Sequence, residues 1–580
     1  MVVLAALVYL TALFAIAHVG ENRGRRLING PLRPVIYALT LGVYCTSWTF
    51  LGSVGLSSRT GYDFLTIYLG PVIVVGLCSF FIARIVRLAK ENNIASIADF
   101  VASRYGKNQA VAATVTLIAV IAVLPYIALQ LKAISASLEV FIGAKGDAAA
   151  RSGTAPFLGD MALLVAGILA FFAVVFGTRQ VDTTEHQDGL MIAVAVESAI
   201  KLVAFVTAGI FVTWWMFDGP MDLFARAAER TDITAIFSKP PDWELWFTMT
   251  LLSAGAIVML PRQFHVTVVE NRDQSDVRQA AWMFPAYLVA INLFVIPIAV
   301  AGLLIFPAGV IDRDLTVLAL PLKNGSGAVA LIVLIGGLSA ATAMVIVECV
   351  ALAVMISNDL FMPLALRQRT TRPVKDMGGM ILLVRRVAIF VVLLLGYAYY
   401  RAAGDAALAS IGLLAFAAIA QIGPALLGGL YWQRATARGA IAGLLTGIGV
   451  WAYTLLLPSF GPDNAVFGGI IRDGLFGLAA LKPNQLFGIE THPLVHGVLI
   501  SLAANITAFV GTSLTRQPTA IERLQANLFV NQDSVTTGPA FRLWRSTVTV
   551  DELRQTVSRY LGEERTRTAF QTFEIGRAHV

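Results

Sequence analysis

Residues 331–360 read LIVLIGGLSAATAMVIVECVALAVMISNDL. About 20 consecutive apolar residues suffice to cross a bilayer as a helix, the one open-chain conformation that satisfies every backbone polar group without water. This run exceeds that length, yet it carries two hydroxyls, Ser339 and Thr342, and a carboxylate, Glu348. The same criterion predicts about thirteen spans: 1–19, 35–55, 64–86, 109–141, 161–177, 189–216, 246–264, 279–305, 326–356, 383–403, 408–432, 436–457 and 491–513. The run 109–141 is too long for one upright span and is expected to tilt or to extend past the bilayer. With 57% hydrophobic and 14% charged residues in 580, and a mean hydropathy of +0.74, a soluble globular chain is excluded.

The charged residues orient this array. No basic residue precedes the first run and no small-residue cleavage site follows it, so it reads as an uncleaved span. Alternate loops are rich in arginine and lysine: Arg23, Arg25, Arg26 and Arg33, then Arg84, Arg87, Lys90, Arg104 and Lys107, then Arg262, Arg272 and Arg278, then Arg367 to Arg386. Basic loops stay on the cytoplasmic side, which places the N-terminus outside and the C-terminus inside. Loops 178–188 and 217–245 fit this alternation less well. The net charge of +7 is modest, and the expected partners are the lipid bilayer and a small organic solute, not nucleic acid. Cys45, Cys78 and Cys349 lie in apolar runs without paired spacing, predicting neither disulfides nor a zinc site. No phosphate-binding loop or phosphoacceptor histidine is legible, so no catalytic domain is expected within residues 1–580.

Two spans carry interruptions, the pattern that exposes backbone to a transport cavity. The second reads ALTLGVYCTSWTFLGSVGLSSRTG, with Gly42, Gly52 and Gly55 around Thr46, Ser47 and Trp48; the seventh reads LLSAGAIVMLPRQFHV, broken by Gly255 and Pro261. They stand five spans apart, the spacing of two inverted five-helix repeats. Ordinary glycine-mediated helix packing is the competing explanation. An ionisable side chain at membrane depth costs roughly 2.5–3.5 kcal/mol on insertion scales, which singles out those present. Glu197 and Lys201, four apart, are expected to pair on one helical face. Glu348 has no partner on its own helix and is a proton-carrier candidate, against a packed, protonated carboxyl. Tyr126 and Gln130, one turn apart, either face solute or bond a neighbouring helix.

The segments ASIADFVASRYGK (95–107) and IGPALLGGLYWQRATARGAIAGLLTG (422–447) resemble those of the sodium:solute symporter family. Over residues 1–513 the resemblance implies an all-α membrane protein with a five-plus-five inverted-repeat, LeuT-like core. It implies a solute site at Thr46, Ser47, Trp48, Tyr126 and Gln130. It also implies a sodium site between spans two and nine, at Gly42, Cys45, Ser339, Ala340, Thr342, Ala343 and Met344. The family's paired hydroxyls fall on Ala343 and Met344, which supply no side-chain oxygen, and an aspartate of its proline-transporting member falls on Tyr44. Sodium chemistry is therefore expected to be eroded, leaving Na+ coupling, H+ coupling or none.

Three features resemble the CbrA-type sensor histidine kinases, a subset that joins a symporter-like module through a STAC linker to cytoplasmic kinase domains. They are the eroded ion ligands, the wording CTSWTFLGSVG and PYIALQLKAIS, and the polar segment after Leu514 containing DELRQTVSRYLG. That resemblance implies a linker over 514–573, a bacterial inner-membrane location, and an amino acid such as histidine as solute. It also implies a kinase and response regulator as partners, with ATP bound only in kinase domains beyond these residues. A stand-alone ion-coupled transporter of amino acids or carboxylates is the alternative. Within the linker, Thr549 and Glu552 predict a capping box for a helix presenting Leu553, Val557 and Tyr560. The last seven residues, EIGRAHV, match a translated sequencing adapter, so the native chain is expected to continue past Phe573.

Overall fold

The computed structural model describes residues 2–23, 30–142, 160–177, 187–368, 377–402, 407–530 except 463 and 465, and scattered positions between 554 and 570. The Thr549/Glu552 capping box and residues 574–580 lie outside the described residues. Among those described there are helices and no strands. Eight long apolar helices, three bent pairs and two shorter apolar helices, Val8–Glu21 and Met161–Val175, fall on the thirteen expected segments. The protein is a multi-pass membrane protein, and the segments are numbered as spans 1–13 in chain order.

Span 2 (Arg33–Tyr44 and Trp48–Thr60) bends by 67°, span 3 (Asp63–Leu77 and Ser79–Glu91) by 70°, and span 7 (Trp243–Met259 and Pro261–Val269) by 52°. The break in span 7 follows from Pro261, which removes a backbone N–H and drives the preceding residue out of the helical region. Leu260 is accordingly extended, at φ −62° and ψ 132°. Gly255, expected to contribute to that break, lies inside an unbroken helix. In span 2 Cys45 is extended (φ −79°, ψ 93°), and the Thr46 hydroxyl accepts from the Trp48 N–H at 3.2 Å. A side-chain oxygen thus replaces the carbonyl that an unbroken helix would offer. Span 4 (Gln109–Ile142) is one helix of 34 residues, longer than the bilayer requires.

Spans 2, 3, 7 and 8 (Gln274–Ile305) pack on one another. Spans 4, 5 (Met161–Gly177), 9 (Gly327–Met355) and 10 (Met377–Ala402) form a second group. Span 6 (Asp188–Met216) joins them, touching spans 2 and 9, and span 11 (Leu408–Tyr431) touches spans 4 and 7. Each group holds two pairs of spans five apart, 2 with 7 and 3 with 8, then 4 with 9 and 5 with 10, as the inverted-repeat expectation requires. Spans 12 (Ala437–Phe460) and 13 (Pro493–Leu514) pair outside that core. Loop 217–245 is itself partly helical, over Pro220–Ala228 and Thr231–Ser238.

The two segments that carry the family resemblance meet in space. Arg104 Nε donates to the Gly429 carbonyl at 2.7 Å and the Tyr105 hydroxyl to the Ala425 carbonyl at 2.8 Å. A C-terminal helix, Ala520–Val530, seats on both. Its Glu522 accepts from the Ala437 N–H at 2.8 Å, Phe529 meets the Phe100 ring at 5.6 Å, and Arg84 donates to the Phe529 carbonyl at 2.8 Å.

Candidate functional site: two buried cations at the helix breaks

The break in span 2 leaves the Cys45 carbonyl without an intrahelical donor and the Gly42 carbonyl with only the Cys45 N–H at 3.0 Å, since Thr46 and Ser47 do not continue the helix. Lys201 of span 6 fills that gap. Its Nζ donates to the Gly42 oxygen at 2.7 Å and to the Cys45 oxygen at 2.8 Å, and the side chain is fully buried. Four residues earlier on the same helix, Glu197 meets the other half of the expected ion site. Its carboxylate accepts from the Thr342 hydroxyl at 2.7 Å and from the Tyr9 hydroxyl at 2.9 Å, while its carbonyl accepts from the Ser339 hydroxyl at 2.9 Å.

Glu197 and Lys201 therefore do not form the direct ion pair expected from their spacing; each is held by other helices. One helix turn of span 6 takes up the carbonyl and hydroxyl oxygens that the family resemblance assigned to sodium. Ala340, Ala343 and Met344 are buried without side-chain oxygen, and Ala343 packs with Val43, Val194 and Val266. Sodium needs several free hard oxygen donors. Here Gly42 and Cys45 already hold an ammonium group, so the residues present do not fit the ion.

The second buried cation is Arg262, just past the break in span 7. Sequence spacing put it in a basic loop; the bend instead turns it inward, where it is fully buried. One guanidinium nitrogen, Nη1, donates to Glu348 Oε2 at 2.6 Å. The partner missing from span 9 itself thus comes from span 7. The guanidinium also lies over the Tyr126 ring, 4.5 Å from its centre, a favourable cation–π arrangement once water is excluded.

Tyr126 connects this cation to the break in span 2. Its hydroxyl lies 3.0 Å from Thr46 Oγ1, and one turn later Gln130 Oε1 accepts from the Ser47 N–H at 3.2 Å. Four of the expected solute residues, Thr46, Ser47, Tyr126 and Gln130, thus assemble with Arg262. Trp48, the fifth, sits at the edge: its indole N–H donates to the Ala409 carbonyl at 3.3 Å and its ring lies 6.2 Å from that of Tyr68. Phe416 of span 11, not singled out from sequence, stacks on Tyr126 at 5.7 Å. Arg262 was legible as a charge two residues before the expected end of span 7, but only its depth after the bend makes it part of a site.

Charged networks close the core at both ends. At the expected outer face Arg59 donates to Asp314 at 2.8 Å, and Asp314 also accepts from the Leu408 N–H at 2.9 Å. Burial pushes the Asp314 carboxyl above the usual carboxylate range, with Arg59 pulling the other way. At the expected cytoplasmic face Arg33 donates to Asp276 at 3.0 Å and to Asp273 at 3.2 Å, and Arg272 pairs with Asp188.

Comparison with known proteins agrees with this fold. The sodium:solute symporter family model matches residues 27–149, the stretch that holds the span 2 break, Tyr126 and Gln130. Two uncharacterized symporters of Bacillus subtilis (strain 168) are similar. YodF is 24% identical over 473 residues, 78% of this chain and 85% of that protein. YhjB is 23% identical over 454 residues, 77% and 86% of the two chains. Among solved structures, that of a Na+-coupled sialic acid symporter in a substrate-bound outward-open state aligns with a TM-score of 0.57 at 13% identity. The alignment covers 89% of this chain and 98% of that one. The chain therefore shares the fold of a sialic acid symporter and matches the symporter family model over the segment that lines its first helix break.

Proposed function

We propose that this protein carries a small organic solute across the membrane by alternating access, with Lys201, not sodium, supplying the positive charge at the ion position. The observation that carries this reading is the convergence of both broken helices on one buried polar site, closed by a charged network at each end. Opening the Arg59–Asp314 contact exposes the site to one side, and opening the Arg33–Asp276 contact exposes it to the other. Solute shifts that balance only through different affinity for the two states.

In this reading Lys201 couples the balance to protons. A proton leaving Nζ removes the charge that strengthens its hydrogen bonds to Gly42 and Cys45, which loosens the break in span 2 from span 6. Glu197, Tyr9, Cys45 and Arg262 are the titratable or charged groups in its surroundings. Glu348, the proton carrier expected from sequence, is assigned instead to holding Arg262 in place. The test is uptake of labelled amino acids and carboxylates by proteoliposomes. Accumulation driven by a proton gradient in sodium-free medium is expected; accumulation that requires a sodium gradient contradicts the reading.

One observation favours a second role beside transport. The helix Ala520–Val530 grips the two family-like segments through Glu522, Arg84 and Phe529, so the polar C-terminal segment is tied to the part of the membrane domain where those two segments meet. This contact supports a sensor that passes solute occupancy to a cytoplasmic kinase and response regulator. Equal autophosphorylation of the solute-free and solute-saturated parent protein would count against it.

A further inference from the structure

The polar cluster between the two helix breaks is incompletely satisfied, and the unsatisfied atoms describe a ligand. Arg262 spends only Nη1 on Glu348; Nε and Nη2, on the opposite edge of the planar group, have no hydrogen-bond partner. Ser47 Oγ and Gln130 Nε2, both completely buried, have none either. Buried polar groups are satisfied in nine cases of ten or more, so these four donors in one connected cluster, beside a fifth unpartnered atom in Glu348 Oε1, point to something they are built to receive. They belong together: Ser47 and Gln130 bond each other, and Tyr126 ties Gln130's helix to both Thr46 and the guanidinium.

We propose that Arg262 is the carboxylate anchor of the solute site, with Ser47 Oγ and Gln130 Nε2 binding adjacent polar atoms of the same molecule. Nε–H and Nη2–H are parallel donors on one edge of the guanidinium, the geometry that grips both oxygens of a carboxylate at once. Glu348 balances the charge and fixes the plane of the fork, and the Tyr126 ring closes one face of the group. A lysine at this position offers a point charge and no fork. The solute class that follows is a small organic acid or amino acid with a free carboxylate; sugars, polyols and simple amines leave the fork unused. This inference rests on the transport reading of the same site and adds the substrate class to it.

The test is thermal stabilisation of the purified full chain by a panel of amino acids, mono- and dicarboxylates, their carboxamide analogues, and uncharged sugars and polyols. At least one carboxylate is expected to stabilise the protein, and its carboxamide is expected not to. Arg262→Lys keeps a cation beside Glu348 and is expected to fold, yet to bind that carboxylate roughly 10- to 100-fold more weakly, the loss of one charge-assisted hydrogen bond. Gln130→Ala, which leaves the ion pair untouched, is expected to weaken it by a smaller factor. Equal binding of acid and amide, unchanged affinity in Arg262→Lys, or a panel in which no carboxylate binds overturns the anchor. A sugar or amine that binds and is weakened by Gln130→Ala would also overturn it, while leaving the transport reading in place.

Discussion

Lys201 and Arg262 are both fully buried, and they differ in how they are satisfied. Lys201 meets two carbonyls and no carboxylate within hydrogen-bond reach. Arg262 meets a carboxylate with one nitrogen and leaves an edge of its guanidinium unused. The difference separates two tasks. A compact ammonium that consumes the available carbonyls replaces an ion; a planar group held by one edge and open along the other awaits a ligand. In the proposed reading, span 6 is the coupling element and the break in span 7 is where solute is recognised.

The largest effect is expected where this contrast is sharpest. Arg262→Ala strands Glu348 as a buried, unpaired carboxylate, which costs about 3–5 kcal/mol when one partner of such a pair is removed. The double variant R262M/E348L is expected to recover most of that stability while losing solute binding, as read by thermal unfolding and the ligand panel together. Recovery of binding would place recognition elsewhere.

Next comes Lys201→Met, which leaves the Cys45 carbonyl buried without a donor and the Gly42 carbonyl with only the Cys45 N–H. An unsatisfied buried group costs about 1–3 kcal/mol, so a clear fall in melting temperature is expected, together with uptake that no longer responds to a proton gradient. Unaltered proton-driven uptake would reduce Lys201 to a structural role.

The smallest stability effect is expected at the outer network. Arg59 is about one-third exposed at 34%, and ion pairs of that kind contribute about 0–1 kcal/mol. Arg59→Gln should therefore barely change unfolding. It should nonetheless favour opening on that side, measured as faster thiol labelling of Thr46→Cys in a background where Cys45, Cys78 and Cys349 are replaced by alanine. Labelling at the wild-type rate in that background would remove Arg59 from the gate.

The spans were legible because crossing a bilayer depends on the length of a local apolar run. The break at Pro261 was legible for the same kind of reason: the proline acts on its own backbone and on Leu260. Gly255 misled because glycine weakens a helix by only about 1 kcal/mol, which packing overcomes. The chemistry of the site was less accessible. Helical spacing puts Glu197 and Lys201 on one face, but their partners Tyr9, Gly42, Cys45, Ser339 and Thr342 come from spans 1, 2 and 9. The residues expected to form an eroded ion site and those expected to form an intramembrane pair lie in one hydrogen-bonded arrangement, without a direct Glu197–Lys201 contact. Arg262 escaped notice because sequence distance from a span end assumes a straight helix, and a 52° bend separates it from that axis.

The central claim is that Lys201 occupies the ion position, and thermal unfolding in matched sodium and potassium salts tests it most directly. Wild-type protein is expected to melt at the same temperature in both. Lys201→Ala frees the Gly42 and Cys45 carbonyls beside Glu197 and is expected to become more stable in sodium than in potassium. Sodium-specific stabilisation of the wild-type protein would contradict the account.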